Sequence, residues 1–254
     1  MKFETRMRRA AAVSLLSALA AFAGAHAADK KDKPKPAAPQ TVDSGSFGIF
    51  IKGQRVATET FKIEQQNGIS TVKSQFKETS AADAAAQKSE LEMTANGELR
   101  RYEWSQASGS SLNVAPNNDF LMERMTTSSS GKPAEQPFLL PNTTAILDNN
   151  FFVHRELLAW RYLGAACQPE GGNLKCQQGA SQFGALVPQE HISISVRLEL
   201  IGKEKITVRG VPRELLRLNL TGEDFAWVLW VDDHDQFKLI QVGISAANTE
   251  VVRD

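Results

Sequence analysis

The sequence predicts a mainly β protein in which a curved antiparallel sheet, a half-barrel or partial barrel, carries one packed helix. Three observations support this fold class. Residues alternate between apolar and polar from Ser44 onward, Asn-Gly pairs stand at 67–68 and 96–97, and helical periodicity occurs only between Asn142 and Gly164. A β-sandwich built from the same strands is the alternative.

The composition is that of an ordinary globular protein. The chain has 254 residues, 42% hydrophobic and 23% charged, with 29 Lys+Arg against 29 Asp+Glu. These values exclude collagen, a disordered tail, a disulfide-stapled mini-protein and a multi-span membrane protein. A formal net charge of +0 gives no indication of a nucleic-acid partner.

The N-terminal residues 1–27 have the three parts of a secretory signal peptide. A basic cluster precedes the apolar run Ala10–Ala23, and Ala25-His26-Ala27 supplies small residues at the cleavage site. The apolar run is too short for a stable membrane span. Because the two cysteines lie far downstream, there is no lipid-anchoring cysteine at the cleavage point. We therefore expect a soluble periplasmic or secreted protein.

The next segment, residues 28–43, mixes Lys, Asp, Ala and Pro and is predicted to be a flexible tether. The alternative is that it docks on a partner or on envelope polymers. The single β-rich domain is predicted over residues 44–248, with residues 249–254 as a tail. Loss of residues 1–27 leaves a net charge of about −3, which argues against binding nucleic acid through bulk charge.

The first half of the domain is predicted to be a meander. Its segments are the hairpin Ser46–Glu64 and the strands Ile69–Lys77, Ser89–Ala95, Glu98–Gln106 and Phe120–Thr127. The run 81–86 (AADAAA) is too short for an independent helix and is predicted to be a connecting turn or short lid.

One helix of about 14 residues is predicted between Asn142 and Gly164. Asp148 or Asn149 is the expected N-cap and Gly164 the expected stop. Five residues recur at helical intervals on the expected apolar face: Phe151, Phe152, Leu157, Leu158 and Tyr162. Arg155 and Glu156 are expected to face away from the sheet.

The second half returns to strands. His191–Leu200 alternates strictly, Gly202 is expected to turn the chain into Lys205–Arg209, and Leu215–Thr221 continues the alternation. Asp224–Val231 should be covered on both faces, with Trp227 and Trp230 pointing to opposite sides. Phe237–Ser245 is the last strand predicted, for a total of ten or so.

The two cysteines, Cys167 and Cys176, flank a Gly-Gly loop in a chain expected to be exported. A structural disulfide is therefore predicted. The spacing lacks the features of a Cys-x-x-Cys redox pair, and further metal ligands are missing nearby.

The sequence contains no familiar catalytic or cofactor motif. It has no nucleophile elbow, His-Glu-x-x-His, phosphate-binding loop or dinucleotide fingerprint, so we predict no enzyme activity, no cofactor and no metal site. The group Asp232, Asp233, His234 and Asp235 has cation-binding chemistry, but a polar hairpin tip is the favoured interpretation.

Two stretches carry a resemblance. Phe47–Ile63 (FGIFIKGQRVATETFKI) and Phe225–Ile244 (FAWVLWVDDHDQFKLIQVGI) resemble uncharacterised bacterial periplasmic envelope β-proteins. Those proteins are similar to lipoprotein-carrier (Lol-type) half-barrels, in which a curved sheet holds acyl chains against helices. This chain departs from them by having one good helix where the carriers use several, and no functional residue carries over.

Two functions follow as expectations. The first is a binding or carrier module that holds an apolar, lipid-like ligand between sheet and helix. Its candidate lining residues are Phe50, Trp104, Met122, Phe152, Trp160 and Trp227. The alternative is a non-catalytic structural or interaction protein of the cell envelope, whose partner binds a sheet edge or the tether.

Overall fold

Most of the alternating segments form strands of one large sheet in the computed structural model, which describes residues 38–80, 86–127, 132–170, 173–177 and 179–254. The strands of the first half are β1 (Gln40–Ile51), β2 (Gln54–Gln66), β3 (Ile69–Glu78), β4 (Gln87–Thr94), β5 (Leu99–Gln106), β6 (Ser111–Asn117), β7 (Phe120–Thr126), β8 (Ala134–Phe138) and β9 (Ala145–Ile146). The helix α1 (Val153–Ala166) follows. The remaining strands are β10 (Cys167–Glu170), β11 (Asn173–Cys176), β12 (Ala180–Val187), β13 (Ile192–Val208), β14 (Val211–Thr221), β15 (Ala226–Asp232), β16 (Lys238–Ile244) and β17 (Thr249–Arg253).

Two meanders meet in the middle of the sheet. The strand order is β8-β7-β6-β5-β4-β3-β2-β1-β17-β16-β15-β14-β13-β12-β9, so β1 pairs with β17. Neighbouring strands are antiparallel except β9 and β12. The sheet is open and does not close into a barrel. The predicted class, a curved antiparallel sheet with one helix, is confirmed.

Helix α1 packs on one face of the sheet, called here the inner face. Leu158 and Tyr162 of the helix belong to the same buried cluster as Phe47, Leu91 and Leu218 of the strands. With 14 residues, α1 is short for a bilayer. No helix in the described ranges is both long and apolar enough to cross a membrane.

The opposite, outer face carries a second and smaller apolar cluster. Val208, Leu215, Ile240 and Val252 form it. Trp230 packs against this outer cluster, whereas Trp227 packs against the inner core, so the two tryptophans point to opposite sides as predicted. The outer cluster lies on β13, β14, β16 and β17, all in the second meander.

The domain limits differ from the predicted ones. Strand β1 begins at Gln40, inside the predicted tether, and residues 249–253, predicted as a tail, form β17 between β1 and β16. Five residues, TEVVR, are too short for periodicity to identify. The predicted signal peptide, most of the tether and residues 81–85 of the predicted lid lie outside the described residues.

Of two predicted turns, the one at Asn67-Gly68 is confirmed and the one at Gly202 is not. Asn67 and Gly68 both have positive φ, 51° and 76°, as the predicted turn requires. Gly202, also expected to be a turn, lies within the single 17-residue strand β13 at a register shift between Leu200 and Gly202. Its φ of 141° suits glycine at a β-bulge.

The helix has the predicted length, but its ends and the surroundings of two of its residues differ from the prediction. Its N-cap is Phe152, not Asp148 or Asn149, and the helix continues past Gly164 to Ala166. Arg155 and Glu156, expected to face solvent, are 2% and 0% exposed. The prediction of their orientation was wrong because acidic and basic groups from distant strands meet them in the core.

Candidate functional site

The six predicted lining residues do not form one pocket. Trp104, Phe152, Trp160 and Trp227 border the inner core. Phe50 packs against the outer cluster, under the guanidinium of Arg55. Met122 alternates with the buried residues Leu121 and Glu123 of β7 and so lies on the outer face.

Several of these aromatic side chains are already engaged inside the protein. The guanidinium carbon of Arg155 lies 5.3 Å from the ring centre of Phe152 and 4.9 Å from that of Trp227. The indole N–H of Trp160 donates to the backbone oxygen of Phe237 at 2.7 Å. A cation and internal hydrogen bonds therefore occupy the positions proposed for a ligand.

The space beside the helix is small. A cavity of about 40 Å³ lies between α1 and β4–β5, bordered by Leu91, Leu99, Ile146 and Leu158. Pockets for small-molecule ligands have volumes of about 300–1,000 Å³. The polar atoms Thr144 Oγ1 and His154 Nε2, on residues that border this cavity, have no partner among the described residues. Its size matches one or two water molecules.

A buried carboxylate from a distant strand caps the helix. Glu59 of β2 is fully buried, and its Oε2 accepts a hydrogen bond from the backbone N–H of Phe152 at 2.6 Å. Ser74 donates to Glu59 Oε1 at 2.7 Å. In most helices a side chain next to the helix start accepts the hydrogen bond of a free backbone N–H; here Glu59, on the distant strand β2, accepts it. Burial raises the pKa of Glu59 to about 7, although these hydrogen bonds lower it.

A second polar group lies at the same end of the helix. Tyr102 donates to Asp148 Oδ2, and the backbone N–H of Asp148 donates to His154 Nδ1 at 3.3 Å. Arg155 donates to the backbone oxygens of Asp148 and Phe151. Burial lowers the pKa of His154 to about 3 and that of Arg155 to about 10.

A third group joins the helix to the central strands. Arg253 of β17 donates to Asp43 at 2.6 Å and to Glu156 at 3.3 Å, and it lies over the stacked rings of Phe47 and Phe61. Burial raises the pKa of Glu156 well above its usual range, although Arg253 lowers it. These three groups are sealed from solvent, so they position the helix and offer no access to a substrate.

A large concave surface lies on the other side of the sheet. This outer groove has a volume of about 890 Å³ and runs across β2–β7. Residues paired across successive strands form its floor as two rows. One row is mainly charged: Lys62, Lys73, Glu90, Glu103, Asn113 and Arg124. The other is mainly hydroxyl and amide: Thr60, Gln75, Lys88, Ser105, Ser111 and Thr126.

The charges in the outer groove largely neutralise one another. Arg101 bridges Glu90 at 3.0 Å and Glu103 at 2.7 Å. Lys62 pairs with Glu64 at 2.5 Å, and Arg124 pairs with Glu135 at 2.7 Å. The residues of the second row, mainly hydroxyl and amide, also line the groove. Six strands spaced by about 4.8 Å give each row a length of about 24 Å.

The acidic turn has no geometry of a cation site. Its carboxylates face three different bases: Asp232 contacts Arg213, Asp233 contacts Lys203 at 2.8 Å, and Asp235 contacts Lys238 at 2.9 Å. Within the described residues there is no cluster of metal-binding side chains. The hairpin-tip interpretation accounts for these residues.

The predicted disulfide is confirmed. Cys167 and Cys176 are bonded and lie opposite each other in the separate hairpin β10–β11. The hairpin follows α1 directly, so the bond fixes the chain where it leaves the helix. It forms no part of the outer groove.

Comparison with protein-family models, curated proteins and solved structures found no match to this chain. The functional assignment therefore depends on the geometry of the molecule. Sequence reasoning missed the outer groove because it followed the apolar side of each strand. The polar residues between them, such as Ser105 and Ser111, looked like an ordinary solvent face.

Proposed function

We propose that this protein is an exported, non-catalytic binding protein that holds a polar chain in the outer groove. The chain would be rich in hydroxyl and amide groups, as envelope glycans are. The proposal rests on the difference in volume between two spaces. The outer groove measures about 890 Å³, whereas the cavity beside the helix measures about 40 Å³. The small cavity beside the helix does not support the expectation that the protein carries an apolar ligand.

The chemistry of the outer groove favours a neutral polar ligand. Hydroxyl groups both donate and accept hydrogen bonds, which matches the alternating donors and acceptors of a glycan with N-acetyl groups. The ion pairs around Arg101 and Arg124 leave little net charge to attract a polyanion. A chain that crosses the strands can contact only side chains, so the two rows set the specificity.

Binding of chitotetraose, a neutral oligomer of N-acetylglucosamine, tests this function. We expect titration calorimetry to detect binding to the wild type and not to Ser105→Trp, because an indole on β5 fills the groove centre. Ser193→Trp, at an exposed position on β13, is the matched control and should bind normally.

Two results would overturn the proposal. One is an absence of chitotetraose binding to the wild type. The other is equal affinity of wild type and Ser105→Trp. Uptake of a fluorescent fatty acid by the same sample would instead support the carrier alternative.

A further inference from the structure

A smaller concavity adjoins the outer groove where β3 ends, β4 begins and β5 ends. This side pocket has a volume of about 310 Å³. Gln75, Lys88 and Ser105 border both spaces, so the two are continuous there. The residues that line the side pocket and not the outer groove are Lys77, Ala86, Gln106 and Ala107.

Two alanines give the side pocket its space. Ala86 comes two residues before Lys88, and Ala107 two residues after Ser105, and both line the pocket beyond the second row. The backbone N–H of Ala107 donates to the backbone oxygen of Ala86 at 3.2 Å, which joins the two chain segments beneath the pocket. A methyl group at each position leaves room that a longer side chain would fill.

The charge of the side pocket differs from that of the outer groove. The described residues that line the side pocket include two lysines, Lys77 and Lys88, and no carboxylate. The outer groove contains the carboxylates of Glu90 and Glu103 as well as its cations. The side pocket is therefore a positive region next to a groove whose charges largely neutralise one another.

The ammonium group of Lys88 is available to a ligand. Its neighbours across the strands are Gln75 and Ser105, which carry no charge. Glu90, two residues further along β4, is bridged by Arg101 at 3.0 Å. Within the described residues Lys88 itself forms no ion pair. An anionic group in the side pocket would thus meet a cation flanked by a hydroxyl and an amide.

We infer that the side pocket binds a carboxylate-bearing branch of the polar chain held in the outer groove. This inference rests on the proposed function and narrows its ligand class to glycans whose sugars carry short acidic substituents. Lys88 donates to the carboxylate, and Gln75 and Ser105 supply neutral donors beside it. The described lining contains no arginine, the residue that binds phosphate through two parallel hydrogen bonds, so a singly charged carboxylate is the better match.

Two tetrasaccharides that differ only in acidic branches test this inference. One is chitotetraose. The other alternates N-acetylglucosamine with N-acetylmuramic acid, whose lactyl ether carries a carboxylate. We expect titration calorimetry to show that the wild type binds the acidic tetrasaccharide about threefold to tenfold more tightly at low ionic strength. Added salt should reduce this ratio, because the charged contact is exposed to solvent.

Substitutions at Lys88 test where the preference for the acidic chain arises. Lys88→Gln keeps a hydrogen-bond donor and removes the charge, so the two tetrasaccharides should bind this variant equally. Lys88→Arg keeps the charge and should keep the preference. Lys205→Gln, at an exposed position on β13 in the second meander, is the matched control and should keep the wild-type ratio.

Ala107→Leu tests the space of the side pocket. The longer side chain fills the pocket without changing any charge, so this variant should lose the preference for the acidic tetrasaccharide. Far-UV circular dichroism shows whether each variant keeps the sheet.

The outcomes separate this inference from the proposed function. Equal affinity of the wild type for the two tetrasaccharides would overturn the acidic branch and leave the proposed function standing. A preference that persists in Lys88→Gln, or loss of both ligands by that variant, would also overturn it, because Lys88 would then not act through its charge on the branch. If neither tetrasaccharide binds to the wild type, the proposed function fails and the inference fails with it.

Discussion

The two meanders use their outer faces differently. In the second meander, Leu215, Ile240 and Val252 give the outer face an apolar cluster of its own. In the first, β2–β7 present polar and charged rows that border the outer groove. The same antiparallel architecture thus provides a two-sided core in one half and a core with a polar, concave outer surface in the other.

The largest effect should come from the inner core that both meanders share. Arg253→Met leaves Glu156 and Asp43 buried without their main cation, so we expect a loss of about 3–5 kcal/mol in unfolding free energy. Urea denaturation measures it. Arg209→Met, which removes a pair with Asp254 on the protein surface, should cost about 1 kcal/mol or less. Equal losses would show that the buried pairs contribute no more than surface ones.

The outer cluster should matter nearly as much. Ile240→Ala removes a side chain that is 4% exposed, and a loss of about 2–5 kcal/mol is expected from denaturation curves. Gln75→Ala, on the outer face of the first meander, should change stability by about 0.5 kcal/mol or less. Similar costs at the two positions would remove the distinction between the meanders.

The disulfide should have a smaller effect. Replacing Cys167 and Cys176 with alanine frees a short loop, and the chain-entropy relation gives a loss of about 2–3 kcal/mol. Thermal unfolding measures this loss. Because the bond forms no part of the outer groove, chitotetraose binding should be unaffected, and loss of that binding would contradict this separation.

The smallest effect should be the pH dependence of the unfolding free energy, because two buried groups make contributions that change in opposite directions with pH. Glu59 has its pKa raised to about 7, so its contribution to stability is lost as the pH rises from about 4.5 to 7. His154 has its pKa lowered to about 3, so its contribution is lost as the pH falls from about 6.5 to 3. Glu59→Gln should therefore make stability rise more steeply between about pH 4.5 and 6.5.

Urea denaturation across this pH range measures the two opposing contributions to stability. His154→Gln keeps an acceptor for the N–H of Asp148 and should have the reverse effect, making stability fall as the pH rises. Parallel pH profiles for the two variants would contradict the assignment of these opposing contributions.

The sequence predicted what local patterns control. Alternation identified most of the longer strands, and it placed Trp227 and Trp230 on opposite faces. Cysteine spacing in a chain expected to be exported predicted the disulfide. These features depend on residues close together in the sequence, and periodicity reports them directly.

The environment of the helix could not be predicted in the same way. Arg155 and Glu156 break the apolar periodicity, so they were assigned to solvent. Glu156 is paired with Arg253, 97 residues later in the chain, and the carboxylate that caps the start of the helix comes from Glu59, 93 residues before Phe152. The outer groove was missed for a related reason, since only strand register places its rows side by side.

The pairing of β1 with β17 has a consequence for how the molecule is made. Asp43 and Arg253, which meet beside this pair, are separated by 210 residues. Contacts this distant in sequence form late, because the intervening chain must first be available. The centre of the sheet can therefore be completed only after nearly the whole domain has been synthesised.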